Sequence, residues 1–333
     1  MVEVGHVLRE AERRLAAAGM ASPAADARLL LAHTLEVEPA RLLVLDGIDT
    51  AQHQHFADLV AERADGVPLQ HLTGETTFRY SRLEVGPGAF VPRPETEVMT
   101  GWVLDRIYER SAANPDTMIR VVDLCTGSGA IVRALWDETT DLHDRLELHA
   151  LELADDAIGY AIANLAGTAV LLHHADVADA AELLRPEGAA APFDVVVANP
   201  PYIPLDAYES VTPEVRDHDP MIALFSGDDG LDTIHVVAAV AARLLRDDGW
   251  LACEHAEVQS AAVQQLVART GDFVDVRDRH DLTDRPRFLT ARRIARRTSG
   301  RPNGPASGRD AQRTPAPTSG PENVRCPLAG WTP

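Results

Sequence analysis

Along the first 70 residues apolar side chains recur three and four apart, at Val7, Leu8, Ala11 and Leu15 and again at Ala27, Leu30 and Leu31 with Thr34 completing the turn. That spacing predicts amphipathic helices that bury one face. Ser22-Pro23 predicts a helix start, because serine caps and proline suits the first turn. A third helix is predicted from Thr50 to about Ala64, and three such helices make a small bundle. Between Thr76 and Val85 the period shortens, with Phe78, Tyr80, Leu83 and Val85 marking a hairpin. Gly88 to Glu97 reads as a loop entering a helix, with Pro94 and two acids in the first turn. From Ile119 onward apolar runs alternate with helical stretches, the pattern of a doubly wound, mostly parallel α/β sheet. Strands are predicted at Ile119 to Leu124, Leu146 to Leu151, Val170 to His173, Phe193 to Ala198, Trp250 to Glu254, Phe273 to Val276 and Phe288 to Ala291, seven in all. Helices are predicted from about Ala130, over Leu231 to Leu245 and over Val258 to Ala268, and Leu205 to Ser226 as a long loop over the acceptor site.

Composition changes this picture at the end of the chain. Beyond Arg297 the sequence becomes Pro, Gly, Ser, Thr and Arg, too poor in apolar surface to offset ordering. The expected organisation is a helical bundle at 1–73, a hairpin linker at 74–92, a catalytic domain at 93–297 and a disordered tail at 298–333 without catalytic role. A chain of 333 residues suits two domains. Charge separates the same parts. From Ala291 eight arginines face Asp310 and Glu322, a balance of +6, which leaves residues 1–290 at −26 of the total −20. A body that acidic repels phosphate backbones, so no direct nucleic-acid partner is expected. Met1-Val2-Glu3-Val4 shows no signal-peptide pattern, and no apolar run reaches the roughly 18 residues of a membrane span. A soluble, cytoplasmic monomer without membrane contact is expected. Cys125, Cys253 and Cys326 lack metal-ligand spacing, and His53 and His55 read as solvated surface, so no metal is expected.

The strand at Phe193 to Ala198 stops at Asn199-Pro200-Pro201-Tyr202, where two prolines remove backbone donors. It delivers Asn199 to the carboxyl edge of the sheet, where ligands of open α/β sheets sit. Asn199 offers a side-chain carbonyl, Pro200 a free main-chain carbonyl and Tyr202 an aromatic wall, a set suited to a planar NH2 group with two donors and a face. This signature resembles that of amino-group methyltransferases, and adenine, cytosine and glutamine all carry such a group. Upstream, Asp123-Leu124-Cys125-Thr126-Gly127-Ser128-Gly129 lies between a strand and a helix, where glycines let a ligand approach the backbone at a helix N-terminus. Glu152, 23 residues beyond Gly129, stands where an acid accepts hydrogen bonds from both ribose hydroxyls. Asp176 and Val177 put a polar and an apolar residue where an adenine ring would lie. Alone, these fit a nicotinamide site as well as an S-adenosyl-L-methionine site; Asn-Pro-Pro-Tyr favours the second.

Four stretches taken together, Pro68-Leu69-Gln70-His71-Leu72-Thr73-Gly74, Phe90-Val91-Pro92-Arg93-Pro94-Glu95-Thr96-Glu97, the loop at 123–129 and Asn199 to Pro204, resemble in order and spacing the peptide chain release factor glutamine methyltransferases, the HemK/PrmC-like family. The resemblance covers about residues 5–295. It implies a Rossmann-like class I methyltransferase domain behind a helical domain that engages the release factor, with S-adenosyl-L-methionine as cofactor and N5-methylation of the glutamine in a Gly-Gly-Gln tripeptide as the reaction. Carried over residue by residue, it implies cofactor contacts at Cys125, Thr126, Gly127, Ser128, Gly129, Glu152, Asp176, Val177 and Asn199. Asn199, Pro200, Pro201, Tyr202, Phe90 and Arg93 would bind the substrate, with Asn199, Pro200 and Tyr202 carrying catalysis. Cys125 departs from the family's usual glycine at the first loop position. A glutamine methyltransferase of a large-subunit ribosomal protein is the alternative, and a nucleic-acid adenine N6-methyltransferase a weaker one. His71, His218 and His255 are expected to be structural or surface residues, and no general base is expected.

Overall fold

A computed structural model describes residues 1–184 and 192–294; the tail expected from 298 lies outside the described residues. Val4–Ala17 (α1), Pro23–Thr34 (α2) and Thr50–Ala64 (α3) form the expected bundle. Val7, Ala11 and Leu15 meet Leu30, Leu31, Phe56 and Val60 in one apolar core, and this burial supplies stability that helices so short lack alone. The two-residue strands Val2–Glu3 (β1) and Gly47–Ile48 (β2) pair beside it. Two helix starts differ from each other. Ser22 does not cap α2 with its side chain; its carbonyl takes the amides of Ala25 and Asp26 instead. In front of α3, Asp49 Oδ1 accepts from the Gln52 amide at 2.8 Å while Gln52 Oε1 accepts from the Asp49 amide at 3.0 Å, a reciprocal capping box.

Leu69–Thr73 (α4) ends at Gly74, whose φ of +75° is a left-handed turn that favours glycine. The hairpin of Glu75–Phe78 (β3) and Ser81–Glu84 (β4) follows. It is stitched to what comes after it. Arg79 donates to both carboxylate oxygens of Glu138 at 2.5 and 2.8 Å, and Asn164 exchanges hydrogen bonds with the Glu84 backbone at 2.6 and 2.8 Å.

After Pro94–Ala113 (α5) the chain alternates: Ile119–Asp123 (β5), Ala130–Glu138 (α6), Leu146–Glu152 (β6), Asp155–Asn164 (α7), Leu171–His174 (β7), Ala180–Leu183 (α8) and Phe193–Ala198 (β8). The span expected to be one long loop, Leu205 to Ser226, instead carries two short helices, Pro213–His218 (α9) and Met221–Leu224 (α10), because Pro213 sits in a first turn and Pro220 breaks between them. Asp232–Leu244 (α11), Leu245–Glu254 (β9), Ser260–Arg269 (α12), Phe273–His280 (β10) and Pro286–Arg293 (β11) complete the fold. β9 begins five residues before the predicted Trp250; its register slips between Phe193↔Leu245 and Val195↔Trp250, and Asp248 turns left-handed at φ 63°.

The seven strands lie in the order β10-β11-β9-β8-β5-β6-β7. β5 to β9 pair in parallel, and β11 runs antiparallel to both neighbours. The valine run of β8 is apolar on both faces because both are covered. Val195 and Val197 pack with Met99, Val103 and Ala134, whereas Val196 and Ala198 pack with Ile234, Val237 and Val263. Asp194 interrupts that run while 4% exposed, and it is neutralised by Arg110 at 2.8 Å and Arg246 at 2.5 Å.

Candidate active site

Parallel pairing of β5 with β8 (Asp123↔Val197) and of β8 with β9 (Ala198↔Cys253) ends three strands at one edge. The loop from Asp123 to Gly129, Asn199 and Glu254 therefore lie side by side, with Glu152 at the end of β6 next to them.

The loop after β5 is held by its own backbone. Thr126 donates its amide to Leu151 O at 2.9 Å. Gly127 donates to Glu152 Oε2 at 2.8 Å, and Glu152 Oε1 takes the amides of Leu153 and Ala154 at 2.9 and 2.8 Å. Glu152 is thus already an acceptor of three amides, which oppose the burial that raises its pKa. Gly127 has φ +57°, and no atom lies within 4 Å of where a Cβ would stand, so the backbone there is left bare. Behind it Thr126 Oγ1, Ser128 Oγ and both carboxylate oxygens of Asp123 are buried without a hydrogen bond of good geometry. Burial pushes Asp123 up to about 7, with the nearby Thr126 hydroxyl and Cys125 amide acting the other way. Burial likewise raises the Cys125 thiol. Across the edge Asp176 accepts from the Ala178 amide at 2.8 Å and Val177 is buried. A bare backbone, orphaned buried oxygens and an oriented carboxylate fit a polar ligand with cationic and hydroxyl groups.

At the other end of the cleft, Asn199 is half-buried. Its Nδ2 donates to Thr96 Oγ1 at 3.3 Å, and no donor among the described residues reaches Asn199 Oδ1 or the Pro200 carbonyl. Thr96 Oγ1 donates to Glu254 Oε2 at 2.7 Å, and Tyr202 Oη lies 3.4 Å from Glu254 Oε1. Burial, reinforced by that carboxylate, raises the Tyr202 phenol and keeps it neutral. Phe90 lies under the Arg93 guanidinium at 4.8 Å, and Arg93 donates to Asp219 Oδ2 at 2.7 Å. Burial pushes Asp219 up to about 6 in spite of Arg93. Pro201 follows in the same turn, half-buried.

Three residues of this cluster were not singled out from the sequence: Thr96, Glu254 and Gln259. Gln259 Nε2 donates to the carbonyls of Tyr202 and Asp229 at 2.8 and 3.0 Å and so fixes the turn after Asn199. The sequence signals were present: Thr96 lies inside Pro-Arg-Pro-Glu-Thr-Glu, and Glu254 is an acid closing a buried strand. His255 is buried on Asp278 at 3.1 Å and His71 meets the Ala89 carbonyl at 3.3 Å, while His218 is half-buried and His55 exposed. Among the described residues no group of three His, Cys, Asp or Glu is placed to hold a metal.

The turn admits no side chain at Gly230. A Cβ there would meet the Tyr202 carbonyl at 2.2 Å and Gln259 Nε2 at 2.5 Å, at a φ of +77°. Gly230→Ala is therefore expected to cost about 2–3 kcal/mol and to displace Tyr202. Thermal unfolding and turnover, measured together, should both fall; an unchanged melting point would remove this constraint.

The family described as PrmC N-terminal domain matches residues 6–74. A curated relative, "Release factor glutamine methyltransferase" of Mycolicibacterium smegmatis, is 45% identical over 296 residues, covering 89% of this chain and 100% of its own length. The protein of the same name from Streptomyces coelicolor is 43% identical over 284 residues, covering 85% of this chain and 96% of its own.

Proposed function

We propose a reaction for a chain that belongs to the release factor glutamine methyltransferase family: transfer of a methyl group from S-adenosyl-L-methionine to the side-chain amide nitrogen of the glutamine in the Gly-Gly-Gln motif of a peptide chain release factor. The observation that carries it is the Asn199 amide, pinned through Nδ2 by Thr96, with no described donor on its Oδ1 or on the Pro200 carbonyl. Two acceptors on consecutive residues match in number the two N–H donors of a primary amide.

The cofactor supplies a methyl group already activated by a sulfonium. Its holders are Thr126 to Gly129 with Cys125, Glu152 for the ribose, and Asp176 and Val177 for the base. The work left to the protein is alignment, because an amide nitrogen is a poor nucleophile with a delocalised lone pair. Asn199 Oδ1 and the Pro200 carbonyl orient that nitrogen and favour positive charge growing on it. Tyr202, Pro201, Phe90 and Arg93 wall the glutamine side chain. The proton leaves afterwards, to water, and no side chain is assigned to take it beforehand.

The bundle at 1–73 is the docking surface for the release factor, and the hairpin at 74–92 joins it to the catalytic part. No helix of the described residues is long and apolar enough to cross a membrane, and a cytoplasmic place suits a partner in translation. The balance of −26 over residues 1–290 disfavours a nucleic-acid acceptor. Incubation of labelled methyl donor with purified release factor and, in parallel, with ribosomal proteins, followed by peptide mapping, tests the reading. Label on the Gly-Gly-Gln glutamine is expected; label confined to a ribosomal protein would replace the acceptor.

Glu152→Ala tests the cofactor placement. It removes a charged acceptor typically worth about 1.5–3 kcal/mol, so affinity for S-adenosyl-L-methionine should fall tenfold to a hundredfold by calorimetry. It also frees the amides of Gly127, Leu153 and Ala154. Unchanged affinity would defeat the placement.

A further inference from the structure

A buried chain of hydrogen bonds runs away from the cleft behind Asn199. Asn199 Nδ2 meets Thr96 Oγ1 at 3.3 Å, Thr96 Oγ1 meets Glu254 Oε2 at 2.7 Å, and Glu254 Oε1 meets Tyr202 Oη at 3.4 Å. Thr96 is 4% exposed and Glu254 2%. Water therefore does not rescue a mismatch of donors and acceptors here.

A hydroxyl has one hydrogen to give, and a carboxylate can only accept. With Glu254 ionised, the Thr96 hydrogen is committed to Glu254, and Thr96 Oγ1 can only accept from its other side. The end of the Asn199 amide that faces Thr96 must then be the NH2. Oδ1 is turned toward the cleft by elimination. With Glu254 protonated, its own O–H can satisfy Thr96 Oγ1, the threonine hydrogen is released toward Asn199, and either end of the amide is equally accommodated. A flipped Asn199 would present NH2 to the NH2 of an acceptor amide, donor against donor.

We propose that Glu254, acting through the Thr96 hydroxyl, is a positioning residue that sets which end of the Asn199 amide faces the acceptor glutamine. The inference rests on Asn199 being the residue that binds the acceptor amide. It makes turnover depend on an ionised Glu254.

The groups around Glu254 bear on that ionisation. Thr96 and Glu95 face it from the start of α5, Tyr202 from the turn after β8 and Arg287 from β11, with Cys253 before it in β9. Arg287 is the cation of the set and is shared, since it donates twice to Asp281 at 3.0 and 3.1 Å. His255, next in the chain, is paired with Asp278 at 3.1 Å. Burial accordingly pushes Glu254 up to about 7, with Thr96, Arg287 and Tyr202 acting the other way. The sign follows: the carboxylate form is present above that pH and is lost as pH falls through it. Folding stability runs opposite, because a raised carboxyl favours the folded state at low pH. A fall in turnover on the acid side is thus not unfolding caused by this group.

The test uses the full chain, a release factor as acceptor and saturating methyl donor. Wild-type enzyme labelling the Gly-Gly-Gln glutamine keeps the underlying reading standing, and absence of that label sinks the reading before the relay is at issue. Given labelling, Thr96→Val, which removes the hydroxyl at constant shape, should lower kcat about tenfold or more with KM for the release factor unchanged. Thr96→Ser should restore kcat to within about threefold. The wild-type kcat should fall on the acid side near pH 7, and Glu254→Gln should abolish that limb, leaving a flat profile. Asp123 and Asp219 also titrate near there, and a limb that persists in Glu254→Gln would assign it to one of them and overturn the proposal. So would a Thr96→Val enzyme with wild-type kcat, or a serine no better than valine.

Discussion

Asn199→Ala is expected to lower the single-turnover rate of methyl transfer about 100- to 1,000-fold, the usual cost of losing one oriented contact made at the developing charge. Cofactor affinity is expected to change little, because the loop from Thr126 to Gly129 is held by Leu151 and Glu152 and makes no hydrogen bond with Asn199. The Pro200 carbonyl remains, so one of the two proposed acceptors survives, and binding of the release factor, assigned above to the helical bundle, is expected to persist. The loss should therefore fall on kcat and leave KM nearly untouched. Asn199→Asp is a poorer replacement than its shape suggests. Its second oxygen would face Thr96 Oγ1, whose hydrogen is given to Glu254 at 2.7 Å, so it is expected to fall between alanine and asparagine. Matching single-turnover rates for alanine and wild type, at saturating release factor, would remove Asn199 from the chemistry.

Arg63→Met is expected to destabilise the protein by about 3–5 kcal/mol, the range for stripping a partner from a buried charge. Arg63 ends in the bundle but serves three elements. Its Nε donates to Asp26 at 2.8 Å, and its Nη1 donates to the Val67 carbonyl at 2.9 Å and to Glu214 on α9 at 3.1 Å. The side chains of Arg63 and Asp26 are each 8% exposed, so methionine fills the space while Asp26 keeps an unpaired charge out of water. A fall in melting temperature of roughly 10 °C should appear in a calorimetric scan. Glu214 is 36% exposed, and Glu214→Gln should cost under about 1 kcal/mol. Equal effects of the two variants would mean that the charge on Asp26 is not the source.

Patterns closed within a few residues were legible. The bounds of α3 follow from apolar spacing and flanking residues, and β8 from a valine run stopped by prolines. That Asn199, Glu152 and the glycine loop share one edge was legible, because a parallel sheet sends the carboxyl ends of its strands to one side. The partners of Asn199 were not. Thr96 and Asn199 are 103 residues apart, and Thr96 and Glu254 are 158 apart; what joins them is the packing of the first turn of α5 on the neighbouring strands β8 and β9, which no local pattern records. Ser22 failed as a cap for a related reason: a capping residue type is necessary, but its side chain must also reach the turn, and here the carbonyl does so instead. The short helices α9 and α10 lack an apolar repeat long enough to show.

The antiparallel placement of β11 bears on how the molecule is made. The last strand of the described chain does not add to an edge; it lies between β9 and β10, pairing Phe288 with Glu254 on one side and Thr290 with Arg277 on the other. Synthesis proceeds from the N-terminus at about 5–20 residues per second, so the bundle, the hairpin and the parallel strands can assemble early. β9 meanwhile waits with one ladder unpaired. Since β9 carries Glu254 and β11 carries Arg287, the surroundings of Asn199 are the part completed last, and a nascent chain short of Pro286 has a glycine loop but an unfinished version of the proposed acceptor site.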